Sequence, residues 1–244
     1  MRYKLIISYN GNIYSGLQVQ KDKVTIQGIL EDTLSKVLRE EVSVVASGRT
    51  DAGVSAIEQV CHIDINNLVD ERRLIGYTNS LLPSDIRVID IIRVDETFHA
   101  RFSSKRKTYE YLFYLGQGNI PVYDNIATYI GYNVDINAMI SACKYFIGEH
   151  DFSAFCASNT DVKDKVRTIF DMSITPINDR LYKLSITGNG FLYNMVRIIM
   201  GTLVGVGLNK IRLEDIPNII SSKDRGKSGK TMPSKGLYLK KVDY

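Results

Sequence analysis

The sequence contains few of the residues that build disulfide frameworks or metal centres. Among its 244 residues there are three cysteines and three histidines, and neither set shows the paired spacing of metal ligands. An odd number of cysteines without such spacing favours buried thiols in a reducing compartment. We therefore expect a cytoplasmic protein that is held together by its apolar core and carries no structural metal. The cysteines are Cys61, Cys143 and Cys156, and the histidines are His62, His99 and His150.

Long apolar segments, proline-rich hinges and charge of one dominant sign are also absent. The longest uncharged apolar run, Ile198–Leu208, is too short and too rich in glycine to span a bilayer, so we expect no membrane association. The chain begins directly with a strand-like segment at Arg2, without the pattern of a signal peptide. Lysine and arginine number 31 against 27 acidic residues, and this net charge of +4 permits an anionic partner without requiring one.

The apolar patterns alternate between strand and helix periods and predict an α+β fold. Because strands often follow strands directly, we expect a largely antiparallel mixed sheet flanked by helices. A strand–helix–strand–strand order occurs in each half, which favours two similar subdomains sharing that sheet, residues 1–104 and 105–244. Thr25 and Asp135 are predicted to cap helices. The predicted strands are 5–9, 42–46, 56–65, 86–94, 109–115, 166–175, 180–187 and 236–242, and the predicted helices are 26–38, 70–82, 136–147, 191–207 and 213–221.

The stretch Gly48–Ala56 lies between two predicted strands and combines an arginine, an aspartate and two glycines. Arg49 and Asp51 are two positions apart, so in an extended segment their side chains point in the same direction. A neighbouring arginine keeps an aspartate ionised, and the glycines allow a substrate to approach the backbone. This pattern suits an anionic nucleophile, although Asp-x-Gly is also common in plain turns.

A second candidate segment, residues 98–111, has four basic residues within seven positions and aromatic residues at both ends. Basic side chains neutralise phosphates and aromatic rings stack on bases, so the composition fits RNA binding as well as it fits a solvated loop before a strand. The basic residues are Arg101, Lys105, Arg106 and Lys107, and Tyr109 follows them in the predicted strand.

The third candidate segment, Gly188–Arg197, has a superficial likeness to a dinucleotide-binding loop. Tyr193 occupies the position of the third glycine and no acidic ribose ligand is evident, so we exclude such a site. In the helix that follows, Arg197 stands among apolar residues and requires a partner, for which Asp51 is suitable. Gly201 and Gly205 continue the same helix face, and we expect tight packing of the helix on the sheet there.

These segments, in this order, resemble the motifs of the TruA family of tRNA pseudouridine synthases. Gly48–Ala56 resembles the family's GRTDAGVHA motif, with Ser55 where histidine is usual. The resemblance implies that Asp51 is the catalytic nucleophile. Arg49 of the same motif is expected to fill the space of a flipped base or to hold a nearby phosphate.

The other two segments carry further implied roles. Residues 98–111 resemble FHARFS followed by R-Y-x-Y, which implies that Tyr109 contacts the target base. Gly188–Arg197 resembles G-x-G-F-L-x-x-M-V-R, which implies that Arg197 pairs with the catalytic aspartate. With weaker matches, such as residues 9–20 where Asn10 replaces a common aspartate, the resemblance extends over nearly the whole chain.

The resemblance implies the pseudouridine synthase fold and an isomerase, an intramolecular transferase, that converts uridine to pseudouridine. Its implied substrate positions are 38, 39 and 40 of the tRNA anticodon stem-loop. The reaction exchanges no electrons or groups, so no cofactor is expected. The family forms homodimers whose shared basic cleft holds tRNA, and we expect a homodimer here. Two alternatives stay open, namely an RNA-binding paralogue without activity and a cofactor-dependent RNA-modifying enzyme such as a methyltransferase.

Overall fold

The computed structural model describes residues 1–158, 160 and 162–244 in two compact units. The first unit comprises Met1–Lys105 with Tyr238–Tyr244, and the second comprises Arg106–Leu237. The subdomain boundary after residue 104 stays a prediction. In the described part of the chain, no helix has both the length and the apolar character needed to cross a membrane. The three cysteines are buried free thiols, as expected.

The described residues form ten strands and five α-helices. The strands are β1 (Arg2–Tyr9), β2 (Val45–Ala46), β3 (Ser55–Asp64), β4 (Ile86–Val94), β5 (Arg106–Tyr114), β6 (Thr128–Tyr129), β7 (Gly148–Asp151), β8 (Val166–Pro176), β9 (Leu181–Gly188) and β10 (Leu237–Asp243). The helices are α1 (Ile26–Leu38), α2 (Glu71–Leu81), α3 (Ile136–Ala142), α4 (Met195–Gly207) and α5 (Ile216–Ser222).

The first unit is built around β1, which pairs antiparallel with β3 on one side and β4 on the other. Alternate residues of β1, beginning with Tyr3, are buried, as expected for a strand with one covered face. Thr25 caps α1 by accepting a hydrogen bond from the N–H of Gly28, as predicted. Strand β10 joins the other edge of β3 in parallel, with Tyr238 opposite Ser55. The Asp51 loop therefore enters β3 at the point where β10 pairs with it.

The second unit contains the antiparallel order β5–β9–β8–β7. Its register places Lys107, near the start of β5, opposite Gly188 at the end of β9. Gly188 begins the third candidate segment, which leads into α4. Helix α4 is buried along most of its length because it is apolar on nearly every face. The sheet register thus brings the start of β5 close to the segment that carries Arg197.

The predicted α+β class with largely antiparallel pairing is confirmed, but several element boundaries were wrong. The predicted strand over 42–46 is reduced to β2, and the helix predicted to reach residue 147 ends at Ala142 and continues as a 3₁₀ helix over Cys143–Phe146. Helix α4 begins at Met195 instead of Phe191, because Asn194 has a left-handed backbone with φ of 61°. The short strands β6 and β7 were not predicted.

Candidate active site

The loop between β2 and β3 carries Arg49 and Asp51 on either side of a buried threonine. The Thr50 hydroxyl shares a 2.8 Å hydrogen bond with the hydroxyl of Tyr9, and the Thr50 carbonyl accepts one of 3.1 Å from the N–H of Leu17. Arg49 is exposed and Asp51 is half-buried. Anchoring the residue between them fixes the backbone from which both charged side chains project.

A buried polar network supports the beginning of the same loop. The Ser47 hydroxyl donates a 2.6 Å hydrogen bond to Oε1 of Gln59 on β3, and Nε2 of Gln59 donates to the Gly48 carbonyl at 3.0 Å. Ser47 and Gln59 are completely buried. Buried hydrogen bonds of this kind restrict a loop to one conformation, because each broken bond would leave a polar group without water.

The segment after β1 packs directly on the far end of the loop. The N–H of Gly11 donates a 3.0 Å hydrogen bond to Oγ of Ser55, which is buried at the start of β3. A Cβ atom at Gly11 would overlap the backbone carbonyl of Val54. Ser55, which departs from the family motif, therefore joins two backbone segments here. Asn10, another departure from the family motifs, accepts a 3.1 Å hydrogen bond from the N–H of Asn12, as an aspartate would.

Gly11→Ala is expected to lower the free energy of unfolding by about 1–3 kcal/mol, because overpacking against backbone forces both segments to shift. The measurement is urea denaturation. Gly76→Ala provides the control, since Gly76 lies inside α2 with no atom near its missing Cβ. That substitution should stabilise the protein by up to about 1 kcal/mol through helix propensity. Wild-type stability for Gly11→Ala would contradict the close packing of this segment on the loop.

Tyr109 lies on β5 and is mostly buried. Its ring makes an edge-to-face contact with Phe191, with ring centroids 5.1 Å apart. Phe191 belongs to the segment that leads into α4, so this contact joins two of the segments selected from the sequence. The arrangement holds the Tyr109 ring in one orientation, which a residue that packs on a base requires.

Arg197 lies in the first turn of α4 and is held by two neighbours. Its Nε donates a 2.6 Å hydrogen bond to the carbonyl of Met232, and its Nη1 donates one of 2.7 Å to Oδ1 of Asn194. The N–H of Met232 in turn donates to the Arg197 carbonyl at 3.2 Å. These contacts fix the plane of the guanidinium group, which determines the direction in which it can bind a carboxylate. Both contacts were missed in the sequence. The Met232 acceptor is a backbone carbonyl, which leaves no sequence signal, and the Asn194 acceptor is a side-chain oxygen whose position depends on the left-handed backbone before α4.

The tight packing expected at Gly201 and Gly205 is present, but the nearest neighbours are not residues of the sheet. A Cβ atom at Gly201 would overlap the carbonyl of Lys230, and one at Gly205 would lie 2.8 Å from the side chain of Ile211. The segment around Lys230 therefore crosses the backbone of α4 directly. This close approach brings the Met232 carbonyl within reach of Arg197.

The four basic residues selected from the sequence are divided between the connection that precedes β5 and the start of β5 itself. Arg101 and Lys105 are exposed in the connection between β4 and β5. Arg106 and Lys107 are the first two residues of β5, so their side chains leave opposite faces of the strand. The Arg106 guanidinium lies 4.8 Å from the centroid of the Phe170 ring. In the part of the chain that the structure describes, no group of three or more histidine, cysteine or acidic residues is arranged to hold a metal ion.

Comparison with known proteins identifies one family. Residues 5–103 and 142–244 match the family model described as tRNA pseudouridine synthase. The chain is 45% identical over 240 residues to tRNA pseudouridine synthase A of Caldicellulosiruptor saccharolyticus, and the match covers 98% of both chains. It is 44% identical to the protein of that name from Bacillus licheniformis and 43% identical to that from Bacillus subtilis. Each of these two matches spans 246 residues and covers 100% of this chain and 99% of the relative.

Proposed function

Because the chain belongs to the tRNA pseudouridine synthase family, we propose that it converts uridine to pseudouridine at positions 38, 39 and 40 of the tRNA anticodon stem-loop. The observation that carries the proposal is the anchored loop with Asp51. Thr50 is fixed to Tyr9 and Leu17, so the carboxylate projects from a backbone that is already held in place. Relatives that match over the whole length bear the name tRNA pseudouridine synthase A.

The proposed reaction is an isomerisation in which the atoms balance within the substrate. The bond between N1 of uracil and C1′ of ribose breaks, the uracil turns, and a bond forms between C5 and C1′. The proton that leaves C5 is balanced by the proton gained at N1. Asp51 acts as the nucleophile, attacking either C1′ or the base at C6. No external electron or group donor is required by this stoichiometry.

The remaining site residues have proposed roles in presenting the uridine. A base inside a stem must leave the stack before its glycosidic bond can be attacked. Arg49 fills the vacated space or holds the adjacent phosphate, and Tyr109 packs on the flipped base and helps to move the C5 proton. In this scheme Arg197 keeps the Asp51 carboxylate ionised and oriented. Arg101, Lys105, Arg106 and Lys107 contact RNA phosphates.

The proposal includes a cytoplasmic homodimer, as the family resemblance implies. Light scattering coupled to size-exclusion chromatography tests the oligomeric state with and without tRNA. A monomer under both conditions would contradict the dimer without affecting the proposed chemistry.

The proposed activity is tested by mapping pseudouridine in tRNA from cells with and without this protein. In vitro, purified protein is incubated with unmodified tRNA transcripts in which positions 38, 39 and 40 are changed from uridine to cytidine one at a time. We expect product at each remaining uridine without any added cofactor. Binding without product would favour the inactive paralogue, and a requirement for a methyl donor would favour a methyltransferase.

A separate prediction concerns the salt dependence of RNA binding by the basic run, which we define as Lys105, Arg106 and Lys107. Replacing Lys105, Arg106 and Lys107 by alanine should flatten the plot of log binding constant against log salt by about one unit for each phosphate that these side chains neutralise. A matched variant removes the exposed lysines Lys21, Lys23 and Lys210, and it should keep the wild-type slope. If the two triple variants have equal slopes, the run is only a solvated surface.

A further inference from the structure

The turn between β4 and β5 presents an unusually exposed aromatic ring. Phe102 is 76% exposed, compared with 63% for Tyr77 on α2. A single exposed apolar residue is normal on a protein surface. What distinguishes Phe102 is the rigidity of the turn that carries it and the charge beside it.

Hydrogen bonds within the turn fix its conformation around His99. The His99 N–H donates to Oγ of Ser103 at 3.0 Å, and the Ser103 N–H donates to the His99 carbonyl at 2.9 Å. Nδ1 of the His99 ring accepts from the N–H groups of Arg101 and Phe102 at 3.2 and 3.3 Å. The backbone of Phe102 is therefore held by the imidazole, while its own side chain makes no contribution to this network.

Three side chains from other parts of the first unit anchor the turn. Nδ1 of buried His62 accepts a 3.1 Å hydrogen bond from the Ala100 N–H, and the Tyr244 hydroxyl donates to the Ala100 carbonyl at 2.7 Å. Nη1 of Arg2 donates to the Phe98 carbonyl at 2.9 Å. Burial, and then the charge of Arg2, lowers the pKa of His62 to about 4. The imidazole is thus neutral near pH 7 and able to accept.

The exposed ring is placed beside cationic and aromatic neighbours. The Arg101 guanidinium lies 5.6 Å from the centroid of the Phe102 ring, and the His99 ring centroid lies 4.3 Å from it. An aromatic ring on a rigid support next to positive charge is the arrangement with which proteins bind unpaired nucleotides, since bases stack on the ring while phosphates meet the cation. Preorganisation matters because a mobile ring would lose conformational entropy on binding.

We infer that Phe102 is an RNA-stacking residue on which an unpaired base of the tRNA stacks, while Arg101 contacts the adjacent phosphate. The inference rests on the proposed function for the identity of the RNA. It adds a binding residue to that function, one that contributes to affinity for the substrate and takes no part in bond breaking.

The absence of tryptophan from the sequence allows a direct test. Phe102→Trp introduces a single tryptophan whose fluorescence is quenched when a base stacks on the indole. We expect unmodified tRNA to quench this emission, and we expect no quenching in Tyr77→Trp, which places the probe at another exposed aromatic position of the same unit. Equal responses of the two variants to tRNA would overturn the inference.

Binding measurements separate stacking from a general apolar contact. Phe102→Ala should raise the Kd for tRNA about tenfold and raise KM, while the single-turnover rate at saturating tRNA falls much less. Phe102→Tyr should keep a Kd close to that of the wild type. Phe102→Leu should bind as weakly as the alanine variant, because leucine has apolar area without a π face. Rescue by leucine, or a wild-type Kd for the alanine variant, would overturn stacking. Thermal unfolding should be unchanged in all three variants, since the side chain is exposed.

The same experiments distinguish this inference from the proposed function. If tRNA binds to the wild-type protein and quenches the fluorescence of Phe102→Trp, but no pseudouridine forms, the proposed activity fails and stacking stands. If pseudouridine forms at wild-type rates and KM in Phe102→Ala, the activity stands and stacking fails.

Discussion

Asp51→Asn is expected to abolish pseudouridine formation while tRNA binding stays within about threefold of wild type. An amide cannot act as the nucleophile, and loss of a covalent nucleophile typically lowers the rate by about 10⁴-fold or more. The loop itself should persist, because its anchor is Thr50, with its hydrogen bonds to Tyr9 and Leu17. Phosphate contacts elsewhere supply most of the affinity for RNA.

The measurement combines single-turnover rates with filter binding on the same preparation. Asp179→Asn is the matched control, since it makes the same change in charge at an exposed position between β8 and β9. Measurable turnover by an Asp51→Asn preparation free of deamidation would contradict the role of Asp51. Loss of binding together with activity would instead show that the carboxylate supports the loop.

Local sequence signals predicted those elements that depend on local chemistry. Thr25 and Asp135 cap α1 and α3 as expected, because a side chain that accepts from an N–H three residues later is a local contact. The start of α4 was wrong because Asn194 adopts a left-handed conformation, which apolar periodicity does not reveal. The membership of the family, and with it the prediction of an enzyme, is confirmed by the match to the family model and by full-length relatives.

The support of the candidate site could not be predicted, because it consists of long-range contacts. The bond between Tyr9 and Thr50 joins residues 41 positions apart, and that between Arg197 and Met232 joins residues 35 apart. Hydrophobic periodicity is a local property of the sequence and does not indicate such distant pairs. Motifs selected Asp51, Arg49, Tyr109 and Arg197, whose roles stay predictions, whereas the fold supplies the partners that hold them. Ser55 illustrates the difference, since its replacement of histidine is visible in the sequence and its hydrogen bond to Gly11 is not.

Arg197→Met is expected to slow the catalytic step by about 100-fold. It is also expected to raise the pH at which this step reaches half of its maximal rate. A carboxylate that loses a nearby cation is protonated at higher pH, and a neutral carboxyl group is a poor nucleophile. Arg49 should compensate in part because it carries the same charge. Arg197→Lys should rescue poorly, since an ammonium group lacks the planar fork that holds a carboxylate at two points.

The test is the single-turnover rate as a function of pH with tRNA saturated by enzyme, so that changes in binding do not enter. Methionine leaves the Met232 carbonyl without its guanidinium donor, at a cost of about 1–3 kcal/mol, so folding must first be confirmed by urea denaturation. Asn194→Gly is the graded control, because glycine keeps the left-handed backbone and removes the side chain whose Oδ1 receives Nη1, while the Arg197 charge stays. It should slow the reaction by about tenfold, less than Arg197→Met, because the charge remains and only its orientation is loosened. A wild-type rate and pH profile for Arg197→Met would show that the arginine serves the packing of α4 against the segment around Met232 and has no influence on the nucleophile.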